Sequence, residues 1–349
     1  MKLIRRHGQK YNFVGDPVSG ATFRWGAVAA DDPSCAPWPE LADIAISNYC
    51  TASCSFCYRD SRADGQFMSV ADYWFVMAQL RSDTWGSVFQ VALGGGEPLE
   101  HPELIDIVEM TRQFGVVPNI TTNGIHVTPV IASHLSGKVG AIAVSVSDIK
   151  SYPVSSVRHF VEADIRTNIH FLLRKASLSQ ATAILNGEYD DMLKGVNAVI
   201  FLTHKAKGRA SADNNLEWDD ELRTFIAAID ARRTVVRIGF DACFVPMLLC
   251  RTQLDARLID PCECGFFSIY VDEMLNVSPC SFSSGCDYRW NLRDLAFERI
   301  WNDALSEYRL ITKNNCQRVC PAHAGCRGRC AFFPDLTLCF SPTQGGVLS

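Results

Sequence analysis

The sequence predicts an α/β fold: a partial, six-unit parallel (β/α) barrel followed by a small, loop-rich C-terminal domain. Three observations support this prediction. Apolar, β-branched runs alternate with amphipathic segments over residues 41–235, as expected for parallel strands joined by right-handed helical crossovers. Six such units favour an open barrel over a closed one of eight. From residue 243 onward the alternation ends, and the sequence becomes rich in Cys, Gly and Pro.

The predicted elements follow from this alternation. Apolar runs typical of buried parallel strands cover residues 41–47, 88–94, 116–122, 139–147, 166–173 and 197–203. Helices are predicted over residues 69–81, 102–114, 128–135, 153–163, 177–186 and 217–231. Ser69 precedes an acidic first turn, so it is the predicted N-cap of the first helix. A further strand is predicted over residues 234–242.

Three regions result from this division of the chain. An N-terminal extension covers residues 1–40 and contains YNFVGDPVSGATFRWG, which predicts a hairpin. The barrel covers residues 41–235, and a cysteine-rich domain covers residues 236–349. The boundary between the last two is predicted near residues 235–245, where the pattern changes.

The composition limits the functional classes. The chain has 349 residues, of which 48% are hydrophobic and 20% charged, the balance of a globular protein. Its formal net charge of -5 argues against a nucleic-acid partner, which usually requires a basic face. No apolar run reaches the roughly 18 residues that span a bilayer, and MKLIRRHGQKYNF lacks the apolar core of a signal peptide. We therefore expect a cytoplasmic protein that binds neither nucleic acid nor a membrane.

Fifteen cysteines are the most informative feature of the composition. In a reducing cytosol, thiols of this kind bind metals more often than they form disulfides. Cys50, Cys54 and Cys57 form a C-x3-C-x2-C run directly after the first predicted strand, at the end of the sheet where active sites of such folds lie. Two interpretations stay open for this run. It is either a structural zinc knuckle with a distant fourth ligand or a four-iron four-sulfur cluster with one iron open to a substrate.

Further residues at the strand ends favour the second interpretation. Phe56 and Tyr58 flank Cys57, and an aromatic ring at this position can pack beside an adenine. The LGGGEP turn after the second strand offers close backbone approach at Gly94, Gly95 and Gly96 and a carboxylate for an ammonium group at Glu97. Asn123 and Ser145 follow on the next two strands and can bond a ribose or a carboxylate. The turn matches neither the dinucleotide-binding fingerprint nor a P-loop.

Together these residues resemble the radical S-adenosylmethionine (radical SAM) enzymes. The resemblance covers residues 40–205 and rests on the cysteine run with Phe56, on the glycine turn followed by Pro98, and on their order along the chain. It implies a [4Fe-4S] cluster whose open iron is chelated by the amine and carboxylate of S-adenosyl-L-methionine. Reductive cleavage would give methionine and a 5′-deoxyadenosyl radical that abstracts hydrogen from a substrate. Carried over by position, the cofactor-binding residues are Phe56, Tyr58, Gly94, Gly95, Gly96, Glu97, Asn123 and Ser145.

The C-terminal cysteines resemble the SPASM extension of radical SAM enzymes that act on peptides. That pattern has a cysteine before a hairpin, one after it, then C-x2-C-x5-C-x3-C and a final cysteine, and here the first interval is x3. The resemblance implies two auxiliary [4Fe-4S] clusters. Cluster I would use Cys262, Cys280 and Cys330 with Cys243 as the favoured fourth ligand, although Cys250, Cys264 or an open iron remain alternatives. Cluster II would use Cys316, Cys320, Cys326 and Cys339. A zinc ribbon is the competing interpretation.

Other polar and cysteine residues receive simpler interpretations. Cys35, Cys250 and Cys286 are interpreted as ordinary small buried residues. The segment over residues 291–310 has helical apolar spacing and is interpreted as scaffold. His170 is interpreted as a packed residue whose strand could face the barrel interior. Asp241 is the candidate catalytic base.

The resemblance favours a maturase of ribosomally made peptides that installs a cross-link or another oxidative modification. A flavodoxin- or ferredoxin-type protein would supply the electron. The 40 residues before the barrel are too short for a winged-helix leader-binding domain, so we expect leader recognition to be separate or absent. The alternative is a dehydrogenase of a protein Ser or Cys side chain or of a small alcohol. A non-enzymatic iron–sulfur electron carrier would need neither the glycine turn nor a three-cysteine site.

Overall fold

The computed structural model describes residues 2–283, 288–313, 326–328 and 330–336. Its first strands form a three-stranded antiparallel sheet of β1 (Ile4–His7), β2 (Asn12–Gly15) and β3 (Thr22–Trp25). This sheet includes the hairpin predicted in the N-terminal extension, formed by β2 and β3. Phe13 of β2 is fully buried and meets Phe89 edge to face at 5.4 Å between ring centroids. The extension is therefore packed onto the core of the barrel.

A ten-stranded sheet forms the body of the protein. Its strands in chain order are β4 (Leu41–Ser47), β7 (Gln90–Gly95), β8 (Val117–Thr122), β9 (Ala141–Val146), β10 (Thr167–Leu173), β11 (Ala198–Thr203), β12 (Arg237–Phe240), β13 (Ser268–Val271), β14 (Asn276–Ser278) and β15 (Trp290–Asn291). Between β4 and β7, β5 (Arg81–Ser82) and β6 (Gly86–Ser87) form a separate two-stranded ribbon. Neighbours in the sheet follow the order β12-β11-β10-β9-β8-β7-β4-β13-β14-β15.

Strands β4 and β7 to β12 are all parallel to their neighbours, as predicted for the barrel. Strand β13 adds to the free edge of β4 in parallel, and β14 and β15 follow in antiparallel. The hairpin that the SPASM pattern implies is the β13–β14 pair, which lies between Cys264 and Cys280. The segment after residue 243 accordingly extends the same sheet, and the boundary near 235–245 remains a prediction.

Helices connect the parallel strands of the barrel at the predicted positions. They are α1 (Val70–Gln79), α2 (Leu104–Gln113), α3 (Pro129–Leu135), α4 (Val154–Glu162), α5 (Leu178–Leu185) and α6 (Asp220–Asp230). The described chain after β12 also forms α7 (Val245–Arg251), α8 (Phe297–Arg299) and α9 (Leu305–Lys313). The predicted cap is confirmed, because the Ser69 hydroxyl accepts a hydrogen bond from the Asp72 amide at 3.1 Å. Among the described residues, no helix combines the length and the apolar character that crossing a bilayer requires.

One predicted boundary is wrong. The last long helix was expected to start at residue 291, but α8 begins at Phe297 and continues through a wide π-helical turn, Ile300–Ala304, into α9. Asn291 instead lies in β15, where its backbone pairs with Asn276 and its side-chain amide donates to the Met274 carbonyl at 2.9 Å. Pairing with a distant strand overrides the local helical spacing at this end.

The two faces of the main sheet differ in chemistry. On the face that packs against helices, Phe201 of β11 meets Phe171 of β10 at 5.8 Å and Phe225 of α6 at 5.4 Å between ring centroids. Because side chains alternate between faces with a period of two, their neighbours point the other way. That opposite face, the inner face, carries smaller or polar residues at positions such as Asp43, Ala92, Asn119, Ser145 and His170. It provides a surface for a ligand at the carboxyl ends of the strands.

Candidate metal centre and active site

The cysteine run forms a loop at the carboxyl end of β4, as predicted. Its backbone is tied down at both ends, since the Cys50 amide donates to the Arg62 carbonyl at 3.0 Å and the Cys57 amide donates to the Cys54 carbonyl at 3.2 Å. Ser53 adopts a left-handed conformation with φ of 50°, which turns the chain between the first two thiols. All three cysteines are half-buried, and burial raises the pKa of the Cys50 and Cys54 thiols.

The glycine turn at the end of β7 packs on the end of β4 and on the start of this loop. The Gly96 amide donates to the Ser47 carbonyl and the Glu97 amide to the Tyr49 carbonyl, both at 2.8 Å. A Cβ atom on Gly96 would lie 1.9 Å from the Tyr49 oxygen, and one on Gly95 would lie 2.2 Å from the Ser47 oxygen. Two of the three glycines are therefore required by the contact between the turn and the cysteine loop.

Gly94 differs from the two glycines that follow it. A Cβ atom built on Gly94 meets no atom within 4 Å, so open space lies above its Cα atom on the inner face. This is the position in the turn where a ligand can approach the backbone closely. The geometry thus fits a small polar ligand beside the cysteine loop, with Gly94 as its point of approach.

Glu97 is held in place by three hydrogen bonds. Its Oε1 atom accepts from the Leu99 amide at 3.0 Å and from the Thr122 hydroxyl at 2.6 Å, and its Oε2 atom accepts from the Asn123 amide at 2.7 Å. The residue is 2% exposed, and burial raises the pKa of its carboxyl group although the three donors oppose this. Glu97 therefore links the glycine turn to the end of β8, and the predicted contact with an ammonium group would use its remaining acceptor capacity on Oε2.

Asn123 and Ser145 lie at the carboxyl ends of neighbouring strands, as predicted. The Asn123 side-chain oxygen accepts from the Ile125 amide at 2.8 Å, which closes a local turn. Ser145 is exposed on the inner face of β9, directly opposite His170 of β10. Burial lowers the pKa of His170 to about 4, so this imidazole is neutral at physiological pH.

The two aromatic residues of the loop have different surroundings. The Arg174 guanidinium lies 5.6 Å from the centre of the Phe56 ring. Tyr58 instead stacks on Phe282 of the C-terminal segment, with 4.3 Å between ring centroids, and burial raises its pKa to about 12. Tyr58 therefore connects the cysteine loop to the C-terminal region. Its predicted contact with an adenine remains a prediction.

Arg209 is a site residue that the sequence analysis missed. Its Nε atom donates to the Cys54 carbonyl at 2.9 Å, and its Nη1 atom donates to the Ser61 carbonyl at 2.9 Å and to the Asp60 carboxylate at 2.8 Å. Its own amide donates to the Cys57 carbonyl at 3.0 Å. The segment after β11 therefore clamps the cysteine loop. The sequence signal is a lone Gly–Arg pair, which resembles an ordinary turn.

A second group of thiols gathers in the chain from residue 243 onward. The Cys243 thiol neighbours that of Cys330, and the Cys264 thiol neighbours those of Cys262 and Cys280. The contact with Cys243 lowers the pKa of Cys330 to about 6. The four thiols proposed for auxiliary cluster I thus lie together with Cys264, which the sequence left as an alternative.

Several predicted ligands fall elsewhere. Cys316, Cys320 and Cys339, expected in auxiliary cluster II, lie outside the described residues, as does Cys286. Of that predicted set Cys326 is described, and its sulfur accepts a hydrogen bond from the Gly328 amide at 3.3 Å. Within the described part of the chain, no three His, Cys, Asp or Glu side chains lie close enough to hold a single metal ion. A cluster does not require such closeness, because its thiolates bind different irons.

Asp241, the candidate base, forms a half-buried ion pair. Its Oδ2 atom lies 2.9 Å from the Lys205 ammonium, and its Oδ1 atom accepts from the Thr203 hydroxyl at 2.7 Å. Lys205 also lies 4.5 Å from the centre of the Phe282 ring. Both carboxylate oxygens are therefore engaged, so a role as a base would use the remaining lone pairs of the carboxylate.

Comparisons with known proteins agree with this geometry. The family model described as Radical SAM superfamily matches residues 44–193. Streptococcus suis SuiB bound to S-adenosylmethionine is similar in structure, with a TM-score of 0.66, 16% identity, and coverage of 84% of this chain and 73% of that chain. SuiB bound to precursor peptide SuiA has a TM-score of 0.69 and 13% identity, with coverage of 93% of this chain and 95% of that chain. For anSMEcpe with bound AdoMet and a Cp18Cys peptide, the TM-score is 0.60 and the identity 16%, with coverage of 83% of this chain and 89% of that chain. The predicted fold class is confirmed.

Proposed function

We propose that this protein cleaves S-adenosylmethionine reductively and uses the resulting radical to modify a peptide, because residues 44–193 match the family model of the Radical SAM superfamily. The observation that carries the proposal is the seating of the three-cysteine loop on the glycine turn, with open space at Gly94. This arrangement brings a thiolate site and a close backbone approach to the same end of the sheet.

In this proposal the residues of the site have different roles. Cys50, Cys54 and Cys57 hold the [4Fe-4S] cluster as thiolates. When bound and reduced, the cluster supplies the electron that cleaves the carbon–sulfur bond of S-adenosylmethionine. Gly94 and Glu97 hold the methionyl end of that cofactor, and the group formed by Phe56, Tyr58, Asn123 and Ser145 contributes to the rest of its site. Arg209 positions the loop through the Cys54 and Ser61 carbonyls.

A peptide substrate is the best supported class. The solved structures with this fold include one bound to a precursor peptide and one bound to a Cp18Cys peptide. We propose a maturase of ribosomally made peptides that installs a cross-link or another oxidative modification. The thiols of Cys243, Cys262, Cys280 and Cys330 would hold one auxiliary cluster, with Cys264 as a fifth thiol in the group. Cys316, Cys320, Cys326 and Cys339 would hold the other.

Oxidation of a protein Ser or Cys side chain, or of a small alcohol, is the second candidate. It requires a base near the substrate, and Asp241 is the residue proposed for that role. In the structure the Asp241 carboxylate pairs with Lys205 at 2.9 Å and accepts a hydrogen bond from the Thr203 hydroxyl at 2.7 Å.

The experiment compares the anaerobically reconstituted wild type with Cys54→Ala. The wild type should hold roughly twelve irons per chain and form 5′-deoxyadenosine when reduced with S-adenosylmethionine. Cys54→Ala should form none while keeping roughly eight irons in the C-terminal clusters. Deoxyadenosine formation by the variant, or none by a fully loaded wild type, would overturn the proposal. Co-expression with short reading frames beside the gene, followed by mass spectrometry, tests the peptide part separately.

A further inference from the structure

Asp43 is an inner-face carboxylate that the proposed mechanism does not use. In the sheet it lies opposite Ala92 of β7 on one side and Tyr270 of β13 on the other. Residues paired in this way share a face of the sheet, so the carboxylate and the phenol are neighbours across the β4–β13 junction. Within the described residues, no hydrogen bond or ion pair reaches the Asp43 carboxylate, and the charge that acts on it is that of Arg59.

Arg59 does not neutralise Asp43, because it is already paired. Its guanidinium forms an ion pair with Glu273, and these two side chains are only 10% and 12% exposed. The same guanidinium lies 5.7 Å from the centre of the Tyr270 ring. The partly buried Asp43 therefore forms, with Arg59 and Glu273, a group of two carboxylates and one guanidinium.

Two further polar atoms in this group lack partners. The Tyr270 hydroxyl and the Arg59 Nε atom are both buried without a hydrogen bond in the part of the chain that the structure describes, and Tyr270 is only 4% exposed. A buried polar group without a partner costs about 1–3 kcal/mol, and such groups are rare in native proteins. Two buried polar atoms without partners, on residues that neighbour the partly buried Asp43 carboxylate, indicate a place where a ligand supplies the missing bonds.

Asp43 lies near the proposed reaction centre. The inner face beside Asp43 carries the small residues Ala92, Ala45 and Gly94, and Ala45 pairs with Gly94 in the sheet. Asp43 lies two residues before Ala45 on β4, which places it about 7 Å from the glycine turn along the strand. A substrate group held at Asp43 is therefore close to the proposed reaction centre.

We propose that Asp43 and Tyr270 form a subsite for a primary ammonium group of the peptide substrate, either a lysine side chain or the N-terminal amine. An ammonium group balances the charge of these two carboxylates and one guanidinium, and its three N–H donors serve the Asp43 carboxylate and the Tyr270 oxygen. Arg59 Nε donates to a carbonyl of the same substrate. This subsite rests on the proposed function for its substrate, although its binding chemistry can be tested alone.

The experiment measures binding of small amines to the anaerobically reconstituted full chain by thermal shift over a concentration series. The probe n-butylammonium represents a lysine side chain, alaninamide represents a peptide N-terminus, and n-butanol is the uncharged control. At least one amine should raise the melting temperature saturably where butanol does not, since a ligand that binds the folded state stabilises it. The amine with the larger effect identifies the source of the ammonium group.

Variants assign the effect to the subsite. Asp43→Asn should raise the Kd of the preferred amine at least tenfold, and Tyr270→Phe should raise it by a smaller factor. Asp191→Asn, an exposed carboxylate at the opposite end of the sheet, should leave the Kd unchanged. If Asp43→Asn does not fold, the comparison of amine and butanol in the wild type and Tyr270→Phe still decides.

Three results would overturn the proposal: no amine-specific shift in the wild type, an equal shift with butanol, or an unchanged Kd in both subsite variants. Formation of 5′-deoxyadenosine by the wild type is measured in parallel. Amine binding without deoxyadenosine would contradict the proposed function and leave the subsite intact, whereas deoxyadenosine without amine binding would contradict the subsite alone.

Discussion

Replacing Arg209 by Ala should loosen the cysteine loop without unfolding the protein. The side chain is 25% exposed and bonds the Cys54 and Ser61 carbonyls, both at 2.9 Å, and the Asp60 carboxylate at 2.8 Å. The bond to Asp60, which is 42% exposed, contributes little because such surface pairs are weak. The two bonds to carbonyls contribute about 1 kcal/mol each, since water can partly replace the guanidinium at a half-buried loop.

The expected loss is therefore about 2 kcal/mol in the free energy of opening the loop, which corresponds to roughly a thirtyfold larger open population. Iron release to an excess of chelator measures this population when opening and closing are fast. The fast phase, assigned to the cluster of the cysteine loop, should accelerate about thirtyfold in Arg209→Ala, while release from the C-terminal thiols stays at the wild-type rate. Arg209→Lys should lie closer to Ala than to wild type, because a single ammonium cannot reproduce the planar fork.

Arg223→Ala is the matched control, because Arg223 is 51% exposed on α6 and pairs with Asp220 on the same helix. It should release iron at the wild-type rate. If Arg209→Ala releases iron no faster than Arg223→Ala, the side chain does not hold the loop. An equal acceleration of all phases would instead indicate general destabilisation, which an unchanged melting temperature would rule out.

Two further predictions follow from the geometry. Gly96→Ala should lower the free energy of unfolding by about 3 kcal/mol through overpacking, because its Cβ atom would lie 1.9 Å from the Tyr49 oxygen. Gly94→Ala should instead keep the wild-type melting temperature and bind S-adenosylmethionine at least tenfold more weakly. Equal melting temperatures of the two variants would contradict the packing argument. Burial lowers the folded-state pKa of His170 to about 4, below the unfolded value near 6.5, so its stabilisation is present above pH 6.5 and is lost as the pH falls towards 4. The difference in unfolding free energy between wild type and His170→Gln should therefore change by about 1 kcal/mol between pH 7.5 and 5.5, and a pH-independent difference in urea titrations would refute this.

Local patterns accounted for most of the fold. The strands and helices of the barrel follow from local signals, namely apolar runs and helix caps that involve residues close together in the sequence. The Ser69 cap is confirmed. The one wrong boundary, at residue 291, depends on pairing with Asn276, which no local pattern contains. The same reason explains why no local pattern predicts that β13 adds to the edge of β4, since tertiary contacts set that position.

The site residues that belong to a short sequence motif could be predicted, whereas those held in place by long-range contacts could not. Cys50, Cys54 and Cys57 stand within eight residues, so their spacing alone indicated a metal site. Arg209 bonds Cys54 across 155 positions of sequence, and a single arginine carries no spacing to detect. The glycine turn was found for an incomplete reason, because two of its glycines serve packing on the loop rather than a ligand.

The cysteine loop is held from three independent directions, and this has a consequence for how the site forms. The glycine turn bonds its start through the Ser47 and Tyr49 carbonyls, Arg209 bonds its middle and end, and Tyr58 stacks on Phe282 just beyond it. These contacts come from β7, from the segment after β11 and from the C-terminal region. The loop can therefore reach its final geometry only after strands from the whole sheet have assembled. Binding sites held by a rigid scaffold lose less entropy when a cofactor binds, so the barrel preorganises a loop that its own short sequence could not keep in place.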